Sequence, residues 1–162
     1  VMALPFGVQL SKTLGYIDPS ATTLTMMWLF TLAWLVINVG GAANLNEPWG
    51  QQLSKINRFI VASLGVGLII VAISSFMGYG PYEANSVALK VGLYGLVNLT
   101  ILGIEVAFFP LGLAYERLAT EGSNPEIESS ISGGMNLTLR WVHATYILIF
   151  ITAFIGATKI VG

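Results

Sequence analysis

Cysteine is absent from the chain, histidine occurs once (His143), and only 9% of residues are charged. The first absence excludes disulfides, thiolate metal sites and cysteine-ligated iron–sulfur clusters. A single histidine rules out any site that needs two from this chain. A soluble domain carries about 25% charged residues, so too few are present here to coat a water-facing surface. A formal net charge of −1 gives no footprint for nucleic acid. Walker loops, HExxH, GxSxG and dinucleotide fingerprints are also missing. No catalytic residue is assigned, no metal ligand set is expected, and no catalytic activity of the chain's own is expected. Residues 1–20 lack a positively charged n-region with a small-residue cleavage site, so they do not read as a signal peptide. A first residue of Val1 leaves room for residues ahead of it.

What is present is apolar. Hydrophobic residues make up 55% of the 162 positions, and mean hydropathy is +0.78. About 20 apolar residues in helix cross a ~30 Å hydrocarbon core, and four segments qualify: 20–43, 56–78, 86–117 and 135–160. Asp18-Pro19 reads as a start signal for the first, Ser54 as a cap for the second, and Asn85 or Ser86 as a cap for the third. Gly78-Tyr79-Gly80-Pro81 stops the second. Pro110 lies inside the third, where a kink is expected.

Residues 118–134 read as a surface loop. Within it Asn124-Pro125, with Glu126 and Glu128 behind, starts one short surface helix. Phe6, Leu10, Leu14 and Ile17 share one face of a short N-terminal stretch, opposite Gln9 and Lys12, as in a helix lying in the membrane interface. The expected fold is therefore all-α: a polytopic integral membrane protein, forming one antiparallel up-down four-helix transmembrane bundle with a short interfacial segment before it. Four spans put both termini on one side, with Lys12, Lys90 and Lys159. Lys55, Arg58, Arg117 and Arg140 lie on the other, which the positive-inside rule slightly favours as cytoplasmic.

Small or polar residues mark helix contacts in membranes, because small groups permit close approach and hydroxyls or amides bond across. Such residues recur on each span: Met27, Thr31, Trp34, Asn38 and Gly41; Ser63, Gly67, Ile70, Ser74 and Met77; Gly95, Asn98, Leu102, Glu105 and Phe109; Thr145, Ile149, Thr152, Gly156 and Lys159. Their period near 3.5 predicts crossing angles near ~20°. Gly92, Gly103, Gly112, Ala153 and Ala157 lie off these seams and predict further packing outside the bundle.

The intramembrane polar residues are Asn38, Asn98, Glu105 and Arg140. Glu105 falls between Lys90 and Arg117, near the expected bilayer centre, where an ionised side chain costs several kcal/mol. It reads either as a proton- or ligand-handling carboxylate or as a structural hydrogen-bonding group. His143 has Arg140 as its candidate partner. His143 and Glu105 are the candidate cofactor ligands, for haem, quinone or a metal. Met26-Met27 resembles a soft-metal pair, although methionine is ordinary core filler.

From Lys90 through FFPLGLAYERL to WVHATYILIFITAFIGATK, the layout resembles small four-span proteins of the copper-resistance-D type. A lysine opens the third span, a proline lies near its end and a lysine closes the fourth. The histidines that type would place on the first span are missing, and no function or site residue is carried over. The first functional expectation is an accessory or structural subunit of a larger membrane complex, packing against partner helices, lipids or pigments. The alternatives are a small redox or cofactor-binding membrane protein and a proton-coupled carrier using Glu105.

Overall fold

The structure, a computed structural model, describes residues 1–44 and 47–158, with Thr158 described by its backbone alone. Five helices follow in order: α1 (Ala3–Thr13), α2 (Ala21–Ala43), α3 (Pro48–Phe76), α4 (Asn85–Glu121) and α5 (Pro125–Thr158). No strand occurs among the described residues. The four long helices are each long and apolar enough to cross a membrane.

Local chemistry sets the helix ends. Ser20 caps α2, its side chain accepting from the Thr23 backbone N–H at 3.1 Å. The expected cap, Asp18, instead pairs with Lys12 at 3.4 Å, and the Lys12 ammonium also reaches the Pro19 carbonyl. α3 starts well before the expected position, because Pro48 takes a first-turn place where its missing N–H costs nothing. Ser54 is thus an interior residue of α3, not its cap. α3 ends at Gly78, whose φ of +79° suits glycine, and Tyr79 N–H returns to the Ser74 carbonyl. Ala84 precedes α4 without a side-chain cap, so neither Asn85 nor Ser86 serves as one.

The stretch 118–134 is helical except for residues 122–124. Asn124 Oδ1 accepts from Ile127 N–H at 2.9 Å, and Pro125 opens α5. The short surface helix expected at Asn124-Pro125 therefore runs on as one helix with the fourth span. Gly133-Gly134 does not break it, and a Cβ on Gly134 would already meet Leu111 at 3.3 Å. Gly134 thus lies where α5 comes close to α4, whereas a Cβ on Gly133 would meet nothing within 4 Å. Lys159 and Ile160, expected to close that span, lie outside the described residues, as do Leu45 and Asn46 of the first turn.

Residue pairs fix the packing. Between α3 and α4 they are Arg58 with Glu105, Gly65 with Gly95, and Ala72 with Gly92. Between α4 and α5 they are Leu111 with Gly134, Gly103 with Trp141, Thr100 with Thr145, and Lys90 with Gly156. Gly41 meets Ser54, and Asn38 meets Asn57, between α2 and α3. In each set one number rises as the other falls, so chain neighbours run in opposite senses. Among the described residues no Cα of α2 comes within 8 Å of α4 or α5. A closed bundle would bring α2 against α5. The helices instead form a row, with α4 between α3 and α5.

The row corrects part of the seam pattern. Thr31, Trp34 and Gly41 are buried on α2 as expected, as are Gly95 and Asn98 on α4 and Thr145 on α5. On α3 the buried residues past Gly50 are Asn57, Val61, Gly65, Ala72 and Ser75. They lie two positions from the expected set, which on a helix turns the seam to the opposite face. Phe109 and Ile149 are exposed. Gly92 and Gly103 pack against Ala72 and Trp141 of the chain itself, whereas a Cβ on Gly112 would meet nothing within 4 Å. α1 is helical, with Phe6 edge-on to Trp28 at 5.2 Å and Leu10 and Leu14 exposed.

Candidate functional site

One polar cluster joins three helices. Arg58 on α3 donates through Nε to Glu105 Oε1 on α4 at 3.0 Å, and Ser54 Oγ lies 3.5 Å from the same oxygen. The guanidinium sits 5.5 Å from the Phe109 ring centroid, within cation–π range. One turn away, Asn57 Oδ1 accepts from Trp34 Nε1 at 2.8 Å and from Asn38 Nδ2 at 3.2 Å, both on α2. Helical spacing explains the grouping: Ser54, Asn57 and Arg58 share one face of α3.

The cluster lines a cavity of about 250 Å³ with Ala42 and Phe108. Arg58 and Glu105 side chains are 31% and 32% exposed, whereas Asn57 is 8% exposed. Hydrogen bonding also fixes the Asn57 amide. An indole N–H can only donate, so the atom facing Trp34 is the oxygen. Its Nδ2 therefore points elsewhere and has no partner among the described residues.

The other sequence-derived candidates lie apart. Asn98 is buried but satisfies itself, donating to the Tyr94 carbonyl of its own helix at 2.8 Å. Arg140 and His143 are exposed on α5 and bond neither to each other nor to Glu105. Met26 is 63% exposed. Arg117 pairs with Glu121 and Glu126 at the far end of α4. No three His, Asp or Glu side chains gather as a metal site among the described residues.

Arg58 is the member of the polar cluster that sequence reasoning missed. The sequence pattern counts it only among the basic residues on one side of the membrane. The signal was Glu47-Pro48, a helix start that puts Ser54 and Arg58 inside α3 on the face of Gly65 and Ala72.

Register also places the cluster. The stretches 59–76 of α3 and 141–158 of α5 carry no Asp, Glu, Lys or Arg. The pairs given above align both, as one belt, with α4 residues from about Lys90 to Ile104, and each stretch is about 27 Å long at ~1.5 Å per residue. Glu105, Arg58 and Arg140 fall together at one margin of that belt, and Lys90 lies near the other. Glu105 is thus not midway along the charge-free length.

A second cavity, about 520 Å³, lies by the α1–α2 and α3–α4 connections, with Lys12, Asp18, Tyr82 and Glu83 in its wall. Burial pushes the Tyr82 phenol up from its ordinary value.

Comparison with family models, curated proteins and solved structures finds no match to this chain.

Proposed function

We propose that the chain is an accessory, structural subunit of a larger membrane complex. It forms an up-down module of four spans with both termini on one side, and it packs a transmembrane helix of another subunit on the outer face of α3. The charge-free belt matches the ~30 Å hydrocarbon core, which would put Arg58, Glu105 and Arg140 at one interface.

The observation that carries the reading is that α3 has two stripes of small residues. Gly65, Ala72 and Ser75 are buried within the chain. Ser63, Gly67 and Ser74 lie on the opposite face, and a Cβ on Gly67 would meet nothing within 4 Å. Lipid gives no reason for glycine and hydroxyls at helical spacing, whereas close approach of another helix does.

Gentle detergent extraction from native membranes tests this. The chain should emerge in a particle much larger than itself. Gly67→Leu should release it as a folded single chain, while Gly112→Leu should not. Recovery only as a monomer, or retention of the Gly67→Leu chain in the particle, would contradict the proposal. The redox alternative makes His143 or Glu105 a cofactor ligand, and a Soret band from the purified chain would favour it instead.

A further inference from the structure

We propose that the cavity between α2, α3 and α4 binds the headgroup of a phospholipid carrying a primary amine, that is, phosphoethanolamine chemistry. The site lies on the other side of α3 from the proposed partner helix and does not depend on it.

The cluster leaves hydrogen-bonding capacity unused. Arg58 spends only Nε on Glu105, and its Nη1 and Nη2 have no hydrogen-bond partner among the described residues. Asn57 Nδ2 adds a further donor, fixed in direction by the indole on its oxygen. Glu105 Oε2 and Asn38 Oδ1 are acceptors with no partner among the described residues. One wall thus offers donors around a positive charge, and the other offers acceptors around a negative one. A phosphate satisfies the first, since guanidinium and phosphate pair through parallel N–H bonds. An ammonium satisfies the second. A purely anionic headgroup would meet the Glu105 carboxylate, and a quaternary ammonium has no N–H to donate to it.

Position points to a lipid as the source of that zwitterion. The cavity lies at the margin of the charge-free belt, where headgroups would sit in the proposed membrane placement. Phe108 and Phe109 are both more than half exposed beside it. Its volume of about 250 Å³ equals about eight waters at ~30 Å³ each. That holds a headgroup but not acyl chains, which would run outside along the belt.

Native mass spectrometry of the full chain, equilibrated in bilayer discs of mixed phosphatidylethanolamine and phosphatidylcholine, tests the assignment. The retained lipid should be enriched roughly tenfold in the ethanolamine form, the difference expected for one charge-assisted hydrogen bond. With the unmutated protein, stepwise N-methylation of the headgroup should lower retention as N–H groups are lost. Glu105→Gln should bring the ratio to that of the bulk while lipid still binds. Retention at the bulk ratio by the wild-type chain, or indifference to N-methylation, would overturn the proposal. Displacement of the lipid by soluble phosphoethanolamine at matching concentration would assign the site to a soluble zwitterion and overturn the lipid source.

Discussion

Gly95→Ala adds one methyl group at the closest approach of α3 and α4. The new Cβ would lie 2.7 Å from the Gly65 carbonyl oxygen, 2.9 Å from Ile69 Cγ1 and 3.2 Å from the Ile69 backbone nitrogen. Ordinary contact begins at 3.4 Å, so the carbonyl is about 0.7 Å too near. Two of the three obstacles are backbone atoms, which no rotamer change can move. The helices must separate, which loosens Gly92 against Ala72 and strains the Arg58–Glu105 pair. Overpacking of this kind costs about 1–3 kcal/mol, against about 1 kcal/mol gained in helix propensity. The expected net effect is a loss of about 0–2 kcal/mol. The same substitution at Gly67 meets nothing within 4 Å, so it should stabilise the isolated chain by up to about 1 kcal/mol. Equilibrium unfolding of both variants in mixed micelles, followed by far-UV circular dichroism, gives the two signs. A Gly95→Ala chain stabilised as much as the Gly67→Ala chain would refute the packing of α3 on α4.

Three further outcomes are expected. Gly103→Ala should cost about 1 kcal/mol, less than Gly95→Ala by the same assay, because its obstacle is the partly exposed Trp141 ring. Arg58→Met and Glu105→Met should each destabilise by roughly 1.5–3 kcal/mol, while the double variant carrying both should cost clearly less than the sum of the singles. Simple additivity in that double-mutant cycle would dissolve the ion pair. Trp34→Phe removes the stronger of two donors to Asn57 and should cost about 0.5–1.5 kcal/mol in the same unfolding assay. No change would mean that the indole bond contributes nothing.

The four apolar helices were legible in the sequence because their signal is long and periodic. The α2 seam was legible for a local reason: Thr31, Trp34 and Gly41 are the small or polar positions of one face, and little on the opposite face competes with them. α3 defeated the same rule. It has small residues on both faces, so spacing alone could not decide between Gly65 with Ala72 and Gly67 with Ser74. The sequence pattern assigns α4 one seam, whereas α4 uses two sides, one toward Gly65 and one toward Trp141. The reading of Glu105 as near the bilayer centre uses Arg117 as an interface marker. Arg117 sits near the end of a longer helix, held by Glu121 and Glu126. Pairings such as Arg58 with Glu105 depend on the register between helices, which no single segment encodes.

Single-cysteine labelling tests the account most directly, since the parent chain contributes no thiol of its own. In sealed vesicles, cysteines replacing Val66, Ile70 and Phe150 should resist a membrane-impermeant reagent from both sides. Cysteines replacing Glu47 and Ser123 should label from one side, and those replacing Ser20 and Tyr79 from the other. Labelling of Ser123→Cys and Tyr79→Cys from the same side, or ready labelling of the belt positions, would contradict the four-span arrangement.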